Sequence, residues 1–204
     1  QYGVDKMKAL CEEAHMRGKK VAAHALSTQS IKVCIEAGID TIEHCAFRGL
    51  GSSVDYDVAL VEEMVEREVI FSPAFGATCY VEQKRTDAAK RRLKITKDMV
   101  KRGLVMAAGT DAGCKDTRHE DYHMVLKLLC DEFDMSCFQT LQCATINAAK
   151  CIGMEDILGS IEIGKVADIL VLDGNPLDNI DNVEKIDHIY LNGKLVYANG
   201  NVIS

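Results

Sequence analysis

The sequence predicts an α/β fold, parallel βα units followed by a small β unit. Three observations predict it. Helical and strand-like segments alternate through residues 1–150, as they do when crossover helices connect parallel strands. Three short apolar runs end on residues able to bind a metal, at His24, His44 and Asp111. After residue 156 the alternation stops, and Asn192-Gly193 stands between two strand-like runs as a hairpin signal.

The elements follow in order. Residues 5–17 carry Met7, Leu10, Cys11 and Ala14 on one helical face, closed by Gly18. A strand runs over 20–24 to His24. Residues 30–37 form a helix closed by Gly38, and a second strand spans 40–44, ending at His44. Residues 57–68 form a helix with Leu60, Val61, Met64 and Val65 inward, leading to a third strand at 69–72 that Pro73 cannot continue. A basic helix over 87–102, closed by Gly103, precedes a fourth strand over 105–110 that ends on Asp111. Thr117-Arg118-His119-Glu120 and Ser136-Cys137-Phe138-Gln139 have the spacing of capping boxes; the second opens a helix running to about Gly153. Strand character returns at 161–163 and 167–172, with a turn at Gly164-Lys165, and at 189–191 and 194–197 around Asn192-Gly193. This divides the chain into a βα domain, 1–156, and a β subdomain, 157–204.

Four βα units are half of a (β/α)8 TIM-type barrel, which typically needs about 250 residues. A half-barrel leaves open edges and an open inner face, expected to include Ala22, Ile42, Ala107 and Gly109. The chain is therefore expected to be a homo-oligomer or part of a longer polypeptide, and its start at Gln1 fits a beginning inside a larger protein.

Composition narrows the partners. A net charge of −7 argues against nucleic acid or an anionic membrane. No apolar run approaches membrane length, and no segment has the pattern of a signal peptide. Nine cysteines without a Cys-x-x-Cys point to reduced, buried thiols in a cytoplasmic protein rather than a cysteine zinc site.

In a parallel barrel the C-terminal strand ends surround the active-site mouth. Two imidazoles and a carboxylate there, His24, His44 and Asp111, suit a divalent metal and a general base. Strand parity sends Glu43 to the helix layer. His15 is expected to interact with its helix dipole, His188 to lie on the surface, and Cys114 to be a bystander. The cationic stretch 84–102 has the pattern of a solvated helix face. His119-Glu120-Asp121-Tyr122-His123 has the zincin spacing, but its position in a capping box favours a structural role. In the loop bordering the mouth, Arg118 or His119 is placed to contact a substrate carboxylate.

Five stretches then appear in one order. They are Val21-Ala22-Ala23-His24, Gly38-Ile39-Asp40-Thr41-Ile42-Glu43-His44, Ala108-Gly109-Thr110-Asp111-Ala112-Gly113, Ala144-Thr145-Ile146-Asn147-Ala148-Ala149, and residues 159–169 from Gly159-Ser160-Ile161 to Ala167-Asp168-Ile169. Together they resemble the C-terminal half of an amidohydrolase-superfamily enzyme, of the imidazolonepropionase-like and Xaa-Pro dipeptidase-like metal-dependent hydrolases. The resemblance implies that His24 and His44 hold the second metal of a two-metal site. Asp111 would touch the first metal and carry a proton from the metal-activated water to the leaving nitrogen. It implies one or two divalent ions, zinc by preference, and a small-molecule or dipeptide-like substrate with a C–N bond to cleave. Ser27, where deaminases of the superfamily carry Glu, argues against deamination, and Glu43-His44 resembles the dipeptidase and carboxypeptidase-like members. The family's His-x-His strand and Lys-bearing strand do not lie in this chain. Two alternatives accompany the hydrolase reading: a non-catalytic half-barrel, inactive without its missing half, and a zincin protease using His119, Glu120 and His123.

Overall fold

A computed structural model describes residues 2–51, 53–114 and 116–203. The helices are α1 (Val4–Met16), α2 (Thr28–Ala37), α3 (Val58–Glu66), α4 (Ala77–Tyr80), α5 (Asp87–Lys101), α6 (Tyr122–Phe133), α7 (Cys137–Ala144) and α8 (Ile146–Cys151). The strands are β1 (Ala22–Ser27), β2 (Thr41–Arg48), β3 (Ile70–Ser72), β4 (Ile169–Leu172), β5 (Ile186–Leu191), β6 (Lys194–Ala198) and β7 (Asn201–Val202). The first three strands form a parallel sheet in the order β1-β2-β3, and the last four an antiparallel sheet in the order β4-β5-β6-β7. The fold is thus α/β with a parallel sheet.

Local chemistry explains the helix starts. Ser27 caps α2 in a reciprocal box with Ser30, Asp57 accepts from the amides of Ala59 and Leu60 at the head of α3, and Thr86 caps α5. Ser136 and Gln139 form the box expected from the sequence. Gly38, at φ 83°, closes α2 in the left-handed conformation that glycine adopts without strain. The helices lay Ile31, Ile35, Val61, Met64, Met99 and Leu129 against the sheet, where they pack with Ile42, Phe71 and Phe75.

Register fixes the two faces of the sheet. Ala22 pairs with Thr41, Ala23 with Ile42 and His24 with Glu43, while Glu43 also pairs with Ser72. Side chains at paired positions share a face, so Ala22, His24, Thr41, Glu43 and Ser72 point one way and Ala23, Ile42 and Phe71 the other. Ile42 therefore belongs to the helix-side core, fully buried, and not to an open inner face. The opposite face is partly covered near its base. Thr41 Oγ1 donates to the carbonyl of Cys151 at 3.3 Å, and Lys20 Nζ donates to that of Lys150 at 2.7 Å.

Several expected elements differ. The strand expected over 105–110 is a single parallel bridge, Phe71 to Met106. The amide of Phe71 donates to Val105, and that of Ala107 donates back to Phe71. Pro73 ends β3 immediately afterwards, and the amide of Ala108 turns away to the carbonyl of Cys143 in α7, so no ladder can extend. The helix expected from 136 to about 153 breaks at Thr145, whose hydroxyl bonds back to the Leu141 carbonyl at 2.6 Å while its backbone leaves the helical region (φ −124°, ψ −93°). Residues 161–163 form no strand; Ile161 and Ile163 stand exposed, and among the described residues no strand pairs with them. Thr117 does not cap the helix that follows it, because its hydroxyl accepts from the amide of Ala77 at the head of α4. A short 3-10 turn, His119–Asp121, intervenes instead, and Asp121 rather than Glu120 accepts from the Arg118 amide.

The hairpin signal at Asn192-Gly193 holds: both residues have positive φ, 50° and 76°, and join β5 to β6. Asn199-Gly200 repeats the device between β6 and β7. Among the described residues no helix is long and apolar enough to cross a membrane.

Candidate active site

His24 lies within β1 and His44 within β2, and both strands continue past them. His24 stands exposed on the open face, beside Glu43 in register. His44 should point to the other face by alternation, but its φ is +66°. Cys45 and Phe47 also have positive φ, and the register jumps from Ala25–His44 to Ser27–Arg48. This bulge turns the imidazole of His44 back across the sheet. Its ring centroid lies 4.5 Å from that of His24, edge to face. Left-handed backbone at a residue other than glycine costs roughly 1–3 kcal/mol, and such strain gathers at functional sites.

Asp111 also has positive φ, 58°. A tight loop holds it: the amide of Ala112 donates to Thr110 Oγ1 at 3.1 Å, and the amide of Cys114 donates to the Asp111 carbonyl. His24, His44 and Asp111 line one cavity of about 300 Å³, together with Arg48, Gly76, Thr78, Arg92, Cys114 and Thr117.

The charges in this cavity act on one another. Burial pushes the pKa of His44 down, and the nearby cation of Arg92 adds to the effect. Burial pushes the carboxyl of Glu43 up; a hydrogen bond from Ser72 opposes the shift and the charge of Asp111 adds to it. Glu43 therefore faces the site and not the helix layer, since paired positions of β1, β2 and β3 share that face. The thiol of Cys114 is raised by its hydrogen bond to the Asp111 carboxylate, which makes it a weak nucleophile.

The donor chemistry fits a divalent cation, with two imidazoles and a carboxylate on one cavity wall. The spacing provides a partial site, because among the described residues no three His, Cys, Asp or Glu side chains form a cluster able to enclose a metal. Neither Arg118 nor His119 lines the cavity. Arg118 pairs with Glu120, and His119 is exposed. The zincin spacing does not become a zincin geometry: His119 sits in the 3-10 turn, and His123 donates from Nδ1 to the Glu120 carbonyl at 3.0 Å. His15 pairs with Asp40 at 2.8 Å instead of acting only on its own helix.

Glu43, Arg48 and Arg92, all of the cavity region, escaped the sequence. Glu43 was hidden by the bulge, which no periodicity shows. Arg92 belongs to the stretch expected to be a solvated face, yet Ala89, Thr96 and Met99 of the same helix are buried. Arg92 stands at i+3 from Ala89 and i−4 from Thr96, within that buried stripe, and this spacing was a signal available in the sequence.

The comparisons agree with the fold. The model of the Amidohydrolase family matches residues 1–196. The "Imidazolonepropionase" of Fusobacterium nucleatum is 26% identical over 202 residues, covering 96% of this chain and 45% of that protein. A "Probable imidazolonepropionase" of Xenopus tropicalis is 32% identical over 112 residues, 52% of this chain and 26% of its own. A solved Xaa-Pro dipeptidase "with bound methionine in the active site" superposes with a TM-score of 0.82 at 27% identity, covering 98% of this chain and 50% of that one. The chain thus spans half or less of the length of these proteins. It belongs to the amidohydrolase family, and within that family it is similar to imidazolonepropionases and Xaa-Pro dipeptidases.

Proposed function

We propose that this chain forms the C-terminal half of a (β/α)8 barrel in a divalent-metal-dependent hydrolase that cleaves a C–N bond, of a peptide-like amide by preference. The observation that carries the reading is the His24–His44 pair, edge to face at 4.5 Å, on the same cavity as Asp111. The strain at His44 and Asp111 supports it, since neither conformation is needed to build the sheet.

His24 and His44 would hold one metal ion, zinc by preference. When bound, such an ion lowers the pKa of water towards neutrality and polarises a carbonyl. Asp111, which lines the same cavity, would accept a proton from water and return it to the leaving nitrogen. Glu43, its carboxyl raised by burial, would border the site beside His24, its register partner. A metal of this kind needs three or four protein ligands, so the remaining ligands come from outside this chain, from a preceding half-barrel or a partner copy. The edge of β1 favours this, since among the described residues β1 pairs only with β2. The same need gives substance to a second reading, that the chain alone is inactive; the absence of a three-donor cluster among the described residues favours it. We place the limits of the barrel domain at 1–156 and of the β subdomain at 157–204.

The test is hydrolysis of a dipeptide panel by the full-length protein, before and after metal removal by a chelator. Activity restored by zinc, and lost in His44→Ala, is expected. Metal-independent turnover, or none with any divalent ion, would reject the reading.

A further inference from the structure

Three buried side-chain polar atoms lack a hydrogen-bond partner among the described residues: Nε and Nη2 of Arg92, and Oγ1 of Thr96. All three lie within one turn of α5. Buried polar groups almost always find partners, and a buried unpaired cation is among the costliest exceptions. The guanidinium is not loosely placed. Its Cζ lies over the ring of Phe75, 5.3 Å from the centroid, a cation–π contact that uses none of the guanidinium's N–H groups.

Its surroundings are cationic. Arg92, Arg48 and Thr78 line the cavity of His24, His44 and Asp111, and the same three residues line an adjoining cavity of about 400 Å³ with Ser53, Thr86 and Arg91. Burial lowers the pKa of Arg92, the neighbouring charge of Arg48 adds to the effect, and Asp111 is among the groups that oppose it. Two arginines with in-plane donors, at the junction between the reacting groups and a second cavity, match an oxyanion bound by parallel N–H···O contacts.

We propose that Arg92, assisted by Arg48, is the anion-binding residue of this site and selects substrates that carry a carboxylate beside the scissile C–N bond, as in a dipeptide or an N-acyl amino acid. The inference rests on the hydrolase reading for its reaction but not for its binding. The carboxylate satisfies the orphaned donors, and the adjoining cavity takes the side chain beside it. Arg92 acts on affinity and positioning, while His24, His44 and Asp111 keep the chemistry.

The test uses the full-length protein with its divalent metal restored. Two matched probes are N-acetyl-L-leucine and N-acetyl-L-leucinamide, with binding followed by calorimetry, beside hydrolysis of glycyl-leucine and its carboxamide. Wild type should prefer the carboxylate by about tenfold or more. Arg92→Met should reduce that preference below about threefold and raise KM more than it lowers kcat. It should leave metal content unchanged and the thermal midpoint unchanged or higher, because no protein hydrogen bond is lost with Nε or Nη2. Arg92→Lys should recover part of the preference. A wild type indifferent to the carboxylate overturns the inference, as does an Arg92→Met variant that keeps the full preference. Arg92-dependent binding of inorganic phosphate without any carboxylate preference marks a free-anion site and overturns it too. If Arg92→Met does not fold, Arg48→Met decides on the same ratio. Selection without turnover keeps the inference and removes the hydrolase reading; turnover without selection does the reverse.

Discussion

The two sides of the site are built differently. His24 and His44 stand on strands paired residue by residue, β1 on β2, with the register interrupted only by the bulge after His44. Asp111 follows a segment tied to β3 by one bridge and then held by loop hydrogen bonds. Laddered backbone fixes position through many repeated bonds, whereas a loop fixes it through a few specific ones. The histidine side should therefore tolerate distant changes, and the Asp111 side should respond to small steric ones.

The largest effects test the histidine side. Removing either ring, His24→Ala or His44→Ala, should exceed the roughly 10–100-fold loss that even indirect partners of a metal cause. Activity and bound metal, both measured on the full-length protein, should fall together. Loss of activity with metal retained would move these histidines from holding the cation to contacting the substrate.

Next comes the loop side. A Cβ at Gly109 would lie 2.8 Å from Ser72 Oγ, and Ser72 is the hydrogen-bond partner of Glu43. Gly109→Ala should cost about 1–3 kcal/mol, the usual scale of overpacking, read from the denaturant midpoint. An unchanged midpoint would show that residues 105–109 can move away from β3, and that one bridge positions Asp111 even less firmly than the contrast supposes.

What was legible in the sequence follows the same division. Wherever backbone obeyed its period, placement followed: α2, α3 and α5, the cap at Ser136 and the turn at Asn192-Gly193; His24 and His44 fall on the expected strands, though within them and not at the C-terminal ends that the sequence suggested. Where hydrogen bonds depart from the period, it failed. Parity put Glu43 on the wrong face because three residues of β2 have positive φ. Apolar content suggested strands at 105–110 and 161–163, but a strand needs a neighbour, and Pro73 and the exposure of Ile161 removed it. Arg92 was misplaced because charge was weighed above its position in the buried stripe of α5. Asp111 is held by turn contacts that carry no period; the apolar run over 105–110 that ends on it, and the resemblance around Gly109-Thr110-Asp111, singled it out, but not the loop that holds it.

The face of Glu43 can be tested by pH in the chelator-treated protein. Burial raises its carboxyl above the ordinary value of 4.5 in the folded state. The folded protein therefore holds this proton where the unfolded chain has released it. The contribution of Glu43 to stability is full below the unfolded pKa and is lost as pH rises through the folded one. Glu43→Gln removes that dependence, so the variant should gain thermal midpoint relative to wild type as pH rises from acid to neutral. Parallel curves would mean that the Glu43 carboxyl is not buried in the folded protein and would break its assignment to the wall of the site.

The smallest expected effect concerns a region outside both sides of the site. His119 and His123 have the spacing of a metal-binding helix, and a single equivalent of bound zinc would satisfy both that motif and the barrel site. Separating them requires a variant that should do almost nothing. His119 is exposed in the 3-10 turn, and the ring of His123 is committed to the Glu120 carbonyl and stands 3.5 Å from Glu184. Neither arrangement directs two ring nitrogens at one point. His119→Ala should change stability by less than about 0.5 kcal/mol, as exposed substitutions do, and His119→Ala with His123→Ala should leave the full complement of metal in place. Loss of that metal in the double variant, with His44→Ala retaining it, would move the cation from the sheet to the start of α6 and make the paired histidines of β1 and β2 structural.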